Sequence, residues 1–116
     1  MVEITAETRD GIHELIVVGE IDASSSIHLD NAISATMENG HQKIMVNCEG
    51  LNYISSAGLG VFMSYLDDFE AKEVKFVICG LNEKVNHVFE LLGLENLIKI
   101  VATKAEAQAY LNDSQA

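Results

Sequence analysis

The sequence predicts one α/β domain: a mostly parallel, mixed sheet with packed crossover helices, in the order ββαβαβαβα. Three observations predict it. Short apolar runs of strand length alternate with stretches whose apolar residues recur every three or four positions. An Asp-Gly pair separates the first two apolar runs, a strong hairpin signal. The 116 residues, with no internal repeat, linker or proline, are enough for a single core and are read as one domain, residues 1–116.

Each element follows from its residues. Val2 to Ala6 alternates and Glu14 to Ile21 is mostly apolar, and Arg9-Asp10-Gly11 between them predicts the opening hairpin. After Asp22, the run Ser24-Ser25-Ser26 supplies N-cap candidates. Leu29, Ala32, Ile33 and Met37 then keep helical spacing up to a stop at Asn39-Gly40. Lys43 to Cys48 is short and mostly apolar, the pattern of a strand covered on both faces. Leu59, Phe62, Leu66 and Phe69 share one face of a helix predicted to run to about Ala71. Lys75 to Cys79 is a second buried strand closed by Gly80. Asn82 is placed to cap a helix with the stripe Val85, Val88, Phe89, Leu92 and a Gly93 stop. Leu97 to Val101 reads as the last strand. Thr103 and Glu106 stand at capping-box spacing before a terminal helix with Ala107, Tyr110 and Leu111 turned inward.

Composition excludes several classes of function. Eighteen acidic residues against seven basic ones give a formal charge of -11, which repels a phosphate backbone, so no direct nucleic-acid binding is expected. The same charge suits solubility or a partner with a basic docking face. No apolar run is long enough to span a bilayer and none has the layout of a secretory leader, so no membrane insertion is expected. Cys48 and Cys79 each sit in an apolar run without a CxxC or Cys/His cluster, as in a protein of the reducing cytoplasm with buried, inert thiols and no metal.

The stretch Tyr53 to Phe62, YISSAGLGVF, fits none of this bookkeeping. Gly58 and Gly60 fall in the first turns of a helix, where each costs about 1 kcal/mol relative to alanine. A bare backbone there lets another chain or a phosphate approach the free N–H groups of the helix start. Ser55 or Ser56 would be the N-cap, and an outward hydroxyl at that place is a good phosphoryl acceptor, because the dipole and N–H groups stabilise the added charge. On residues alone, a plain cap with glycines chosen for close helix-to-sheet packing accounts for the segment equally well. Asp22, closing the second strand in GEID, is likewise either a helix-start cap or an exposed site residue. A nucleotide-binding loop is disfavoured, because Gly-Leu-Gly matches neither dinucleotide nor P-loop spacing. A serine hydrolase is disfavoured because Ile54 stands where the nucleophile elbow needs glycine, and no spacing ties His13, His28, His41 or His87 to Ser56.

GEID at 19–22, VNCEGLNYISSAGLGVF at 46–62, KFVICGLNEKVNHVFELLGL at 75–94 and Lys104-Ala105-Glu106-Ala107 together resemble the STAS domain, in particular the bacterial anti-sigma factor antagonists. The resemblance covers essentially the whole chain in the right order and implies a STAS-like fold. It implies a protein that is not an enzyme and holds no cofactor. Its unphosphorylated form would sequester an anti-sigma factor that is also a serine kinase, thereby freeing a sigma factor. The kinase would hold the ATP and magnesium, and a metal-dependent serine phosphatase would reverse the modification. Carried over residue by residue, Ser56 matches the phosphorylated serine, with Ser55 the second candidate. Asp22 matches the aspartate beside it, and Gly58 and Gly60 match the glycines on which the partner closes. The partner-binding set is thus Asp22, Ser55, Ser56, Gly58 and Gly60. Two positions depart from the common pattern: Ser55 stands where many members carry aspartate, and Asn47 replaces an aspartate frequent at the end of the third strand. An alternative that the family's breadth implies is a small subunit of a larger assembly, such as a lipid-transport complex or a stress-sensing scaffold.

Overall fold

A computed structural model describes residues 1–113. The hairpin forms as its turn chemistry dictates. Strand β1 (Val2–Arg9) runs antiparallel to β2 (Ile12–Ile21), and Asp10 and Gly11 take φ of 54° and 81°, the two positive values that a type I′ turn requires. Helix α1 (Ser26–Glu38) then crosses to β3 (Lys43–Ile54), which lies parallel to β2. Helices α2 (Ser56–Ser64) and α3 (Leu66–Ala71) lead to β4 (Lys75–Cys79). Helix α4 (Glu83–Leu91) leads to β5 (Lys99–Val101), and α5 (Lys104–Asn112) follows. The sheet order is β1-β2-β3-β4-β5, parallel from β2 to β5.

Strand alternation divides the core into two layers. On the front face Leu15, Val17 and Ile21 of β2, Ile44, Val46 and Cys48 of β3, and Phe76 and Ile78 of β4 pack with Leu29, Ile33, Leu59, Phe62, Phe69, Val85 and Phe89 from α1 to α4. On the back face Ile12, Met45, Val77 and Cys79 meet Ala107 and Leu111 of α5, with Val101 and Tyr110 packed alongside. Cys48 and Cys79 are both free and buried, on opposite faces. Phe62 is fully buried between the rings of Phe76 and Phe89, at 6.0 and 6.2 Å between centroids. Its burial contributes about 2–3 kcal/mol and fixes the seat of α2.

Four local expectations are corrected. Strand β3 does not stop at Cys48 but runs to Ile54. The ten-residue β2 offers it a full-length partner, and irregularities opposite Val18 and Glu20 absorb the polar Glu49, Gly50 and Asn52 while Leu51 and Ile54 stay buried. The helix expected to run unbroken to Ala71 is broken at Tyr65. That residue's N–H turns back to Phe62 O at 3.3 Å, and its hydroxyl donates to the backbone oxygen of Asp30 at 3.1 Å and to the Asp30 carboxylate. Beyond the break Phe69 stacks on Phe76 at 4.5 Å. The last strand begins at Lys99 rather than Leu97, since Leu94 to Asn96 form a single 3₁₀ turn anchored by buried Leu94, leaving Leu97 exposed. Leu92, expected in the inward stripe of α4, is the exposed C-cap residue of that helix. The caps of α4 and α5 form as their residues predict: Asn82 Oδ1 accepts from Val85 N at 2.8 Å, and Thr103 Oγ1 from Glu106 N at 3.1 Å.

Candidate functional site

The carboxyl ends of β2 and β3 bring Asp22 and the Ser-Ser segment to one rim of the sheet. Ile21 pairs with Ile54, and Ser55 N–H donates to Ile21 O at 2.8 Å, so Asp22 and Ser56 each stand one residue beyond that tie. Ser55 is the N-cap of α2: its hydroxyl accepts from Gly58 N at 3.2 Å and its carbonyl from Leu59 N at 3.0 Å. Ser56 is the first residue inside the helix. It is exposed, and its hydroxyl makes no hydrogen bond among the described residues. The neighbouring serines therefore divide the work, one closing the helix start and the other presenting a free nucleophilic oxygen beside the uncapped N–H groups of Ser56 and Ala57.

The two glycines divide as well. Gly58 is buried; a Cβ there would stand 2.7 Å from Ile21 Cγ2 and 2.7 Å from Ile54 Cγ1, so its bareness seats α2 against the sheet. Gly60 is exposed, and a Cβ there meets nothing within 4 Å, so only this glycine offers bare surface to a partner. Gly58→Ala is expected to cost about 1–3 kcal/mol by overpacking, outweighing the gain in helix propensity. Gly60→Ala is expected to raise stability by up to about 1 kcal/mol. Urea unfolding of the two variants reads these opposite signs directly.

Asp22 is held by the helix-start serines. Its Oδ1 accepts from Ser24 N at 3.0 Å, Ser25 N at 2.9 Å, Ser24 Oγ at 2.7 Å and Ser25 Oγ at 2.9 Å. Sequence reading offers Ser24 to Ser26 as caps of α1. Ser25 does occupy the N-cap position, yet its hydroxyl bonds no helix N–H and, nearly buried, turns back to Asp22. Asp22 is thus the residue that caps the turn. The Ser24 hydroxyl first, then Ser25, holds its carboxyl down at about 2. A depressed carboxyl contributes stability above its unfolded value, which is lost as pH falls through the folded one. Its Oδ2 accepts no hydrogen bond among the described residues and remains available to a partner. Asp22→Ala is expected to lower the melting temperature, whereas Asp22→Asn keeps an acceptor oxygen and restores most of it. A melt of Asp22→Ala identical to that of the unaltered chain would refute the capping role.

Sequence reading gave no signal for a second polar cluster, on the back face. Glu14 (6% exposed) accepts from Asn47 Nδ2 at 3.0 Å on Oε2 and pairs with Lys104 Nζ at 2.9 Å on Oε1. Asn47 (8% exposed) accepts from Glu49 N at 3.0 Å. Helix α5 is thereby tied at its first residue to β2 and β3, and the hydrogen bond from Lys104 to Glu14, then the charge, shifts Lys104 upward. Strand alternation could have placed Glu14 and Asn47 on one face, but not Lys104 beside them.

Among the described residues no histidine side chain is hydrogen-bonded to Ser56. His13 and His41 stack on each other at 4.0 Å, at the opposite end of β2 and β3 from Ser56, and among the described residues no hydrogen bond joins the imidazole of His28 or His87 to a serine. Among the described residues, no group of three or more His, Cys, Asp or Glu is placed to hold a metal ion. No helix among them is long and apolar enough to cross a membrane.

The sequence model of the family described as STAS domain matches residues 3–107. A curated relative, the anti-sigma-B factor antagonist of Staphylococcus aureus, is 29% identical over 97 residues, covering 84% of this chain and 90% of its own. The crystal structure of an anti-sigma factor antagonist from Mycobacterium paratuberculosis superposes with a TM-score of 0.90 at 19% identity, covering 97% of this chain and 96% of that one. The Bacillus cell fate determinant SpoIIAA in its phosphorylated form superposes with a TM-score of 0.71 at 21% identity, covering 95% of this chain and all (100%) of its own.

Proposed function

We propose, from the premise that this chain belongs to the STAS domain family, that it is an anti-sigma factor antagonist whose binding is switched by phosphorylation of Ser56. The observation that carries the assignment to Ser56 is the division between the two serines: Ser55 Oγ is engaged by Gly58 N, whereas Ser56 Oγ is exposed and unengaged. The curated relative named an anti-sigma-B factor antagonist supports the role, and the phosphorylated form of SpoIIAA supports the mode of control.

In this reading the partner is an anti-sigma factor with serine kinase activity, which holds ATP and magnesium. This chain supplies only the acceptor. Ser56 Oγ forms a bond to the γ-phosphorus, the bond from that phosphorus to the β–γ bridging oxygen breaks, ADP leaves, and the hydroxyl proton passes to a base on the kinase. Hydrolysis of the serine phosphate by a metal-dependent phosphatase returns the free hydroxyl and inorganic phosphate. Asp22, through Oδ2, and Gly60 complete the surface on which the partner closes. The charge of -11 steers toward a basic partner face and away from nucleic acid, so any transcriptional effect passes through the partner.

The test is phosphotransfer from the cognate kinase in the presence of ATP and magnesium, with the site read by mass spectrometry. The modified residue is expected to be Ser56, Ser55→Ala is expected to remain a substrate, and Ser56→Ala to take no phosphate. Modification of Ser55 in the unaltered chain would overturn the assignment.

A further inference from the structure

The back face of the sheet is covered unequally. Helix α5 packs chiefly on β4, with lesser contact with β3 and β5, and buries Ile12, Met45, Val77 and Cys79. The half of that face built by β1, β2 and the upper end of β3 carries no helix. Because Leu15, Val17 and Ile21 face the front core, alternation puts Ile16, Val18 and Glu20 on the back. The register sets Ile16 beside Thr5 and Asn47, Val18 beside Glu3 and Gly50, and Glu20 beside Tyr53. Ile16 and Val18 belong to neither core layer, and Val18 and Tyr53 are 45% and 44% exposed. Gly50 leaves this surface flat, and Val18 leans over it: a Cβ on Gly50 would stand 2.9 Å from Val18 Cγ2. The result is an apolar strip running up the sheet through Ile16, Val18 and Tyr53.

The rim of the strip is acidic. Glu3 and Glu7 flank it from β1 and Glu20 from β2, while two cations, Arg9 of β1 and Lys104, which is paired with Glu14, lie at its lower end. Sheets of parallel strands are ordinarily covered by helices on both faces, and here the upper part of the parallel pair β2 and β3 carries no helix on its back. We propose that this open half of the back face is a docking surface for an amphipathic helix of a partner protein, its apolar side on Ile16, Val18 and Tyr53 and its basic flanks on Glu3, Glu7 and Glu20. It lies on the other side of the sheet from α2, so it is a second interaction surface, one that operates whatever the state of Ser56.

The experiment uses the whole chain and a synthetic amphipathic helix of leucine and lysine, about 18 residues or five turns long. Backbone amide shifts locate the peptide, and fluorescence titration gives its affinity. Shifts are expected to centre on Ile16, Val18, Gly50 and Tyr53. The double variant Val18→Ser, Tyr53→Ser is expected to bind about tenfold more weakly with a cooperative melt retained. Glu3→Lys with Glu7→Lys is expected to weaken binding further, while Ser56→Ala leaves it unchanged. Shifts centred instead on Asp67, Asp68 and Glu70, the acidic stretch of α3 that has no such strip, would reduce the attraction to bulk charge and overturn the proposal. So would unaltered affinity in the Val18 and Tyr53 double variant. A dimer in sedimentation that this variant dissolves would assign the strip to a second copy of the chain, which also overturns it. None of these outcomes touches the assignment of Ser56, which phosphotransfer tests separately.

Discussion

Phosphorylation of Ser56 is expected to weaken binding of the anti-sigma partner by about thirtyfold or more while the domain keeps its cooperative melt. The fold can accept the modification because of where it falls. A phosphate adds about -1.5 to -2 charges, and at the start of α2 it meets uncapped N–H groups and the positive end of the helix dipole. The Gly58 N–H is already taken by Ser55, so the cap is not dismantled. The docked partner has no such compensation. A face fitted to a bare helix start and to Gly60 would have to accommodate a bulky, solvated dianion on the rim that also carries the Asp22 carboxylate, and loss of a central contact commonly costs about 2 kcal/mol or more. Ser56→Asp is expected to imitate the effect in part, and Ser56→Ala to bind constitutively. Calorimetric melting and partner affinity, measured on protein whose site is verified by mass spectrometry, decide the matter. A lost melt or an unchanged affinity would contradict interface blocking.

Asn47→Asp is expected to destabilise the domain by about 3 kcal/mol at neutral pH. The position accepts aspartate by size but not by charge, because Asn47 Nδ2 donates to Glu14 Oε2 at 3.0 Å and both side chains are buried. The substitution removes that donor and sets a second carboxylate against the first, leaving the half-exposed Lys104 as the cation at hand. Two carboxylates in such contact cannot both ionise at their ordinary values, so the pair holds a proton that the unfolded chain has released. A folded value raised above the unfolded one contributes stability that is lost as pH rises, so the deficit should shrink toward about pH 5 and grow toward about pH 8. Adding Glu14→Gln to Asn47→Asp restores a neutral partner and is expected to recover most of the loss. Urea midpoints of the single and double variants across that range test the account, and a double variant no more stable than the single one would refute it. Asparagine at position 47 is thus matched to Glu14.

Much of the framework was legible because the signals are local. The Asp10-Gly11 turn, the caps at Asn82 and Thr103, and strand β4 all depend on residues within a few positions of one another. The same holds for the placing of Ser55 and Ser56 at a helix start. The break at Tyr65 was not legible, because the apolar stripe runs through it unbroken and the group that holds it, Asp30, is 35 residues away. Nor was the length of β3, whose polar second half is a strand only because β2 extends far enough to pair with it.

By itself the sequence determined the order of elements, the family resemblance and the segment proposed to carry the switch, since composition, capping and periodicity act over single turns and strands. Only the tertiary structure decided which residue of each pair does which task. Ser55 rather than Ser56 closes the helix because its hydroxyl reaches Gly58 N; Gly58 rather than Gly60 must be bare because Ile21 and Ile54 occupy the space beside it. Asp22 is a cap because Ser24 and Ser25 fold back onto one of its oxygens, and the strip of Ile16, Val18 and Tyr53 is open because α5 settles on β4. Hydroxyl direction, free space beside a backbone and the uncovered part of a sheet are properties of residues brought together from distant strands and helices, and no local pattern records them.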